Sequence, residues 1–157
     1  MLLQDPLPPE VAGLPAKFLL LMGLVDAGLP PYYVAAAEFR EGWIEKEIAH
    51  VNATFSRFPF SYQEQHAIPD ARDILETGIR VEGRELILFN NHWKSGASDP
   101  DRESIRRGNA RVLRERLDAV LAENPRAEVI LAGDVTSHYN QNEAVPEIEE
   151  SGIMDVR

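Results

Sequence analysis

The chain has 157 residues, 44% of them hydrophobic and 27% charged, with a formal net charge of −10. Such values fit one globular domain with a single sizeable core and exclude disorder over most of the length. The excess of carboxylates argues against a protein that grips nucleic acid through a broad basic surface, because lysine and arginine at phosphates supply most non-specific affinity. With no cysteine there is neither a disulfide framework nor a thiolate metal site. Any metal would be held by oxygen, with imidazole as the further option, which suits magnesium, manganese or calcium.

Residues 1–31 are rich in proline and apolar side chains. Pro6, Pro8 and Pro9 precede a helix predicted from Glu10 to about Ala27, interrupted near Gly13 and Pro15 and stopped by Gly28-Leu29-Pro30-Pro31. The longest apolar stretch, Phe18 to Val25, is far too short to span a bilayer, and no basic region with a signal-type apolar run opens the chain. The chain as given therefore reads as soluble and without an address, and its compartment stays open. Residues 32–37 read as a strand, and residues 38–50, with Trp43, Ile44 and Ile48 among charges, fit no single element. A further strand is predicted over 51–57, ending at Pro59. Asn52-Ala53-Thr54 matches the glycosylation pattern, but its place inside that strand makes it a coincidence.

Residues 74–81 and 84–90 read as two strands joined by Glu82-Gly83, a strong hairpin signal. Asp99-Pro100 starts a helix as N-cap and first-turn proline, with Asp101 and Glu103 complementing the dipole. Ile105, Val112, Leu113, Leu117, Val120 and Leu121 share one face of it until Asn124-Pro125. Residues 129–132 form the last predicted strand, which runs into Gly133-Asp134. Strand, hairpin, helix and strand without a fixed-period repeat make an α/β (α+β) arrangement in one domain over residues 1–157.

The chemistry-bearing residues sit at strand exits. Asn90-Asn91-His92-Trp93-Lys94-Ser95 follows the apolar run 86–89 and offers fixed hydrogen-bond donors to an anion, phosphate above all. Asp134 stands at the same kind of place on the next strand, so the two tips suggest one site. Lys94, Arg102, Arg106 and Arg107 form a small positive cluster near it, although Arg106 and Arg107 on a helix are more often a solvated face than a phosphate clamp. Trp93 is expected as core beneath the site. Arg57 and Arg72 are expected to anchor carboxylates or strand-end carbonyls.

Together with Ser56-Arg57-Phe58-Pro59 and Ala71-Arg72-Asp73-Ile74-Leu75-Glu76, these stretches resemble the endonuclease/exonuclease/phosphatase family, the deoxyribonuclease I-like phosphoesterases, best over residues 51–143. The resemblance implies a partial four-layer α/β/β/α sandwich and a divalent-metal-dependent hydrolase that cleaves phosphodiester bonds. It implies that His92 stabilises the phosphoryl oxygens, Asp134 activates water and Asn91 supports them at the catalytic centre, with Lys94, Thr136 and Asn140 on the substrate side. Asp134 and Asp5 would hold the cation, Mg²⁺ or else Mn²⁺ or Ca²⁺.

There are departures. The family places asparagine where this chain has Thr136, and threonine loses the amide's reach and its N–H donors; Asn140 is the alternative supplier. Asp5 stands where the family has glutamate, shorter by one methylene. The family's first-strand asparagine and its closing serine-aspartate-histidine have no counterpart in the chain, which leaves the second histidine to be supplied by His138 or by another chain. Two readings stay open: an active phosphoesterase, and a truncated or degenerate member that binds without turnover. Partners implied are a phosphate ester, nucleic acid among the options, no membrane span, and self-association through open sheet edges.

Overall fold

Glu82 and Gly83 both adopt left-handed backbone, at φ 52° and 81°, which is what a two-residue hairpin needs to match the twist of its strands. They join Ile74–Val81 to Arg84–His92 with Val81 opposite Arg84, and that register carries through to Leu75 opposite Asn90. The computed structural model describes residues 16–40, 50–96 and 99–135. In chain order its elements are α1 (Ala16–Asp26), β1 (Tyr33–Ala36), β2 (Ala53–Ser56), β3 (Phe60–His66), β4 (Ile74–Val81), β5 (Arg84–His92), a 3-10 turn (Pro100–Arg102), α2 (Glu103–Glu123) and β6 (Glu128–Asp134).

Strands β3-β4-β5-β6 make one sheet, antiparallel except for the parallel β5–β6 pair that the α2 crossover permits. Strands β1 and β2 pair antiparallel as a second, two-stranded sheet. Helix α2 covers one face of the large sheet, where Ile74, Ile87, Phe89 and Trp93 meet Leu113 and Val120. The other face meets the small sheet, and side-chain amides make the join. Asn52 donates to the Asp73 and Asn90 carbonyls at 2.9 and 3.2 Å, while Asn90 donates back to Ala53 O at 2.9 Å. The glycosylation-like Asn52 is thus a buried tie between sheets. Helices on sheets in this layered order are the α+β class that the sequence implies, and among the described residues no helix is long and apolar enough to cross a membrane.

Several expectations shift. The N-terminal helix is described from Ala16, so Glu10, Gly13 and Pro15 lie outside the described residues. Asp99 does open the second helix, its Oδ1 accepting the Asp101 N–H at 3.0 Å, but through a 3-10 turn. Strand β5 continues to His92, so the Asn-Asn-His run belongs to the ladder and does not lie beyond it. Strand β3 was not predicted at all. Its sequence, Phe-Ser-Tyr-Gln-Glu-Gln-His, has no apolar alternation because it is an edge strand whose inner face is polar.

That inner face surrounds Glu76, a fully buried carboxylate on β4. Tyr62 Oη donates to it at 2.9 Å, His66 Nε2 contacts it at 2.7 Å, and Arg116 of α2 reaches it twice, at 2.6 and 3.1 Å. Burial by itself would raise the Glu76 pKa, yet the hydrogen bonds from His66, Arg116 and Tyr62 hold it at about 2. Burial, followed by the bond to the charged carboxylate, drives the Tyr62 phenol upward. Gly78 makes room for this arrangement, since a Cβ there would run into the Tyr62 ring.

Because the folded Glu76 value of about 2 lies below the ordinary 4.5, its stabilisation is complete above pH 4.5 and is lost as pH falls toward 2. Urea unfolding in EDTA at pH 7 and pH 3 is expected to show the native chain losing about 2 kcal/mol more than Glu76→Gln does over that interval. Equal losses in the two proteins would mean that the carboxylate is not held in its charged form.

Candidate functional site at the tips of β5 and β6

Parallel pairing sets the geometry. In the β5–β6 ladder His92 is the direct partner of Asp134, and Asn91 of Gly133, with the Trp93 N–H closing the ladder on the Asp134 carbonyl at 2.9 Å. Partners in register point to the same face, so the imidazole and the carboxylate rise side by side from neighbouring strands whose backbones are about 5 Å apart, near enough for the Asp134 charge to act on the ring. The backbones can approach this way only because residue 133 is glycine: its φ is 134°, and a Cβ there would overlap the Asn91 carbonyl.

The three polar residues of the motif have separate tasks. Asn90 turns toward the small sheet and ties it down. Asn91, 2% exposed, turns to the helix face, where its amide donates to Phe89 O at 3.0 Å and Ala132 O at 3.3 Å and accepts from Trp93 Nε1 at 3.4 Å. Its donors are therefore engaged in the β5–β6 seam. His92 is left on the Asp134 side, half-buried. Trp93 packs in the core, as expected.

Desolvation lowers the His92 pKa below the usual imidazole value, with the Arg72 charge and then His50 pushing the same way and Asp134 opposing. The ring is thus neutral at pH 7, with one nitrogen donating and the other accepting. Arg72 and His50 are the residues that sequence reasoning did not bring here: the arginine was expected to be structural, and the histidine lay in a segment with no assignable element. Arg72 has a buried Nε with no hydrogen-bond partner among the described residues. A buried guanidinium N–H without a partner is a hydrogen-bonding capacity left unfilled near the neutral imidazole. Asp134, exposed at its strand tip, is a hard oxygen donor, the type of group that magnesium-type ions favour.

The basic cluster is corrected. Arg106 is no solvated residue: it is 2% exposed, pairs with Glu103 at 2.7 Å and donates to the Gly96 and Asp99 carbonyls at 3.0 and 3.3 Å. Arg102 pairs with Asp99 at 3.0 Å. Both arginines hold the loop after β5 in place. Lys94 follows the site half-buried, and Arg57 is exposed on the surface. Asp5, Thr136, His138 and Asn140 lie outside the described residues.

The sequence profile of the endonuclease/exonuclease/phosphatase family matches residues 47–151, and the chain belongs to that family. No protein of curated function matches at a significant level. Among solved structures, TDP2 from Caenorhabditis elegans superposes with a TM-score of 0.61 at 16% identity, covering 83% of this chain and 36% of that one. D. rerio TDP2 complexed with single strand DNA product superposes with a TM-score of 0.53 at 17% identity, covering 91% and 50%. An endonuclease/exonuclease/phosphatase family protein from Leptotrichia buccalis gives 0.57 at 15% identity, covering 96% and 56%. At such identities the likeness is one of fold, and this chain spans roughly a third to a little over half of those structures.

Two outcomes are expected. Gly133→Ala should lower stability by about 2 kcal/mol or more in urea unfolding, since the new methyl forces the seam apart; an unchanged midpoint would mean that the seam is not close-packed. In an NMR titration His92 should titrate below the ordinary imidazole value, lower still in Asp134→Asn and higher in Arg72→Gln. A shift of the opposite sign in either variant would disprove the proximity of those charges.

Proposed function

We propose that the β5–β6 tips form the phosphodiester-cleaving site of a divalent-metal-dependent hydrolase of the endonuclease/exonuclease/phosphatase type. The observation that carries this reading is the registered His92–Asp134 pair, with the orphaned Arg72 Nε on the same network of charges. A phosphodiester needs an oriented water, donors for the phosphoryl oxygens and relief of negative charge. The Asp134 carboxylate accepts the proton of the attacking water as its oxygen bonds to phosphorus; the P–O bond to the leaving alcohol breaks, and that oxygen takes up a proton from solvent. His92, neutral at working pH, donates its N–H to a phosphoryl oxygen. Arg72 offers its free N–H and its charge to the same group. Asn91 positions the pair by locking β5 to β6 and touches no substrate. Lys94, Thr136 and Asn140 complete the substrate side.

Asp134 with Asp5 would hold Mg²⁺, Mn²⁺ or Ca²⁺, which supplies charge relief at the phosphoryl oxygens. The D. rerio TDP2 complex with single strand DNA product favours single-stranded nucleic acid as the substrate class. The net charge of −10 agrees with a substrate gripped at one local site and not along an extended duplex. One departure supports a second reading, a binding module without turnover: Thr136 stands where the family has asparagine.

With Mg²⁺ or Mn²⁺, the purified chain is expected to hydrolyse a chromogenic phosphodiester and a labelled single-stranded oligonucleotide. Asp134→Ala and His92→Gln should each reduce kcat at least about 100-fold, and Arg72→Gln should raise KM more than it lowers kcat. Native protein that binds the oligonucleotide but turns over no faster than Asp134→Ala would leave the binding module as the function.

A further inference from the structure

On the other face of the large sheet from His92 and Asp134, two strands present a second set of ligand atoms. Glu64 and His66 lie two residues apart on β3, hence on one face, and Glu64 is the direct register partner of Glu76 on β4. One carboxylate oxygen from each glutamate and a ring nitrogen of His66 all lie within 4.8 Å of one another. We propose that Glu64, His66 and Glu76 form a binding site for a divalent transition-metal ion, Zn²⁺ in preference to Mg²⁺, separate from the strand-tip site.

The donor set selects the ion. An imidazole with two carboxylates suits zinc, whereas magnesium favours oxygen alone. A tetrahedral zinc about 2.1 Å from each ligand spaces them about 3.4 Å apart, and Glu64, which is exposed, has the rotamer freedom to close that gap. The fully buried Glu76 fixes the inner end of the site.

A second, independent observation is that a positive charge already sits there. Arg116 bridges the same two carboxylates, at 2.6 Å to Glu76 and 3.5 Å to Glu64, so it acts as a tethered cation in the ion's place. Its departure has a route. A cavity of about 430 Å³ opens beside it, lined by Tyr62, Glu64, Glu85, Arg116 and Glu123 among others, so a displaced guanidinium meets two further carboxylates, Glu85 and Glu123. The cavity also gives the ion an entry path and leaves its fourth position to water. The binding step exchanges one cation for another on the same carboxylates; His66 Nε2, which donates its N–H to Glu76 while Arg116 is seated, gives that proton up, to solvent or by tautomer shift to Nδ1, and turns its freed lone pair on the ion.

Calorimetric titration of the whole chain with ZnCl₂ tests this. The native chain is expected to bind one ion with a rise in melting temperature; Glu64→Gln and His66→Gln should each weaken binding at least about tenfold, while Asp134→Asn leaves it unchanged. Arg116→Gln should tighten binding by at least about tenfold, because the competing cation is gone. A merely structural role for the cluster would not produce that gain. Circular dichroism on each variant separates lost ligands from lost fold. Absence of zinc binding, equal affinity in Glu64→Gln and the native chain, loss of binding in Asp134→Asn, or weakening in Arg116→Gln would each overturn the proposal.

Discussion

The close approach of two backbones, Asn91 on β5 and Gly133 on β6, is the constraint from which the candidate site follows. Without a side chain at residue 133 the parallel ladder continues one rung further, and that rung is His92 beside Asp134. Polar side chains then hold what backbone pairing begins. Asn91 spends its amide on carbonyls of both strands, and the Trp93 indole satisfies its oxygen from the core side. A buried amide with every bond made is a rigid seam, whereas a half-satisfied one would be a weak point. Its contacts are all within the seam, and they fix the strand on which His92 stands.

Strand alternation separates the two polar centres of the sheet. Even-numbered positions near the end of β5, Asn90 and His92, face the small sheet and the open tip, and odd-numbered ones, Phe89 and Asn91, face α2. On β4 the parity is reversed by the antiparallel register: Glu76 lies opposite Phe89 and so faces α2. One sheet therefore carries a neutral imidazole with an exposed carboxylate on one side and a charged carboxylate under a helix on the other. The environments differ as the chemistry requires. Glu76 is kept ionised by three donors, while His92 is kept neutral by desolvation and a neighbouring arginine.

How much of this was legible in the sequence depends on how far each feature is local. The hairpin at Glu82-Gly83 was readable because its two φ values are imposed by the turn itself, and α2 because its apolar stripe has the helical period. The pairing of His92 with Asp134 could be guessed from two apolar strands that end alike. Strand β3 could not, since Tyr62, Glu64 and His66 become an inner face only when Glu76 and Arg116 arrive from elsewhere in the chain. Arg106 was misjudged for the same reason. Nothing in a helical arginine reveals that a loop ten residues earlier will turn its carbonyls toward it. Long-range polar contacts are the part of a fold that periodicity does not encode.

The distribution of charge connects the fold to the chemistry. A chain with a net charge of −10 cannot attract a polyanion through its overall field, so any phosphate it holds must be held by a few groups that have nothing else to bind. The described arginines near the loop after β5 do not qualify, because Arg102 and Arg106 already neutralise Asp99 and Glu103. The Nε of Arg72, buried and lacking a partner among the described residues, is the group the proposed site relies on. Burial strengthens whatever that N–H eventually meets, because water no longer competes for it. In the site proposed here, an acidic protein would draw its local anion affinity from one arginine N–H that has no partner among the described residues, set near an imidazole that carries no charge of its own.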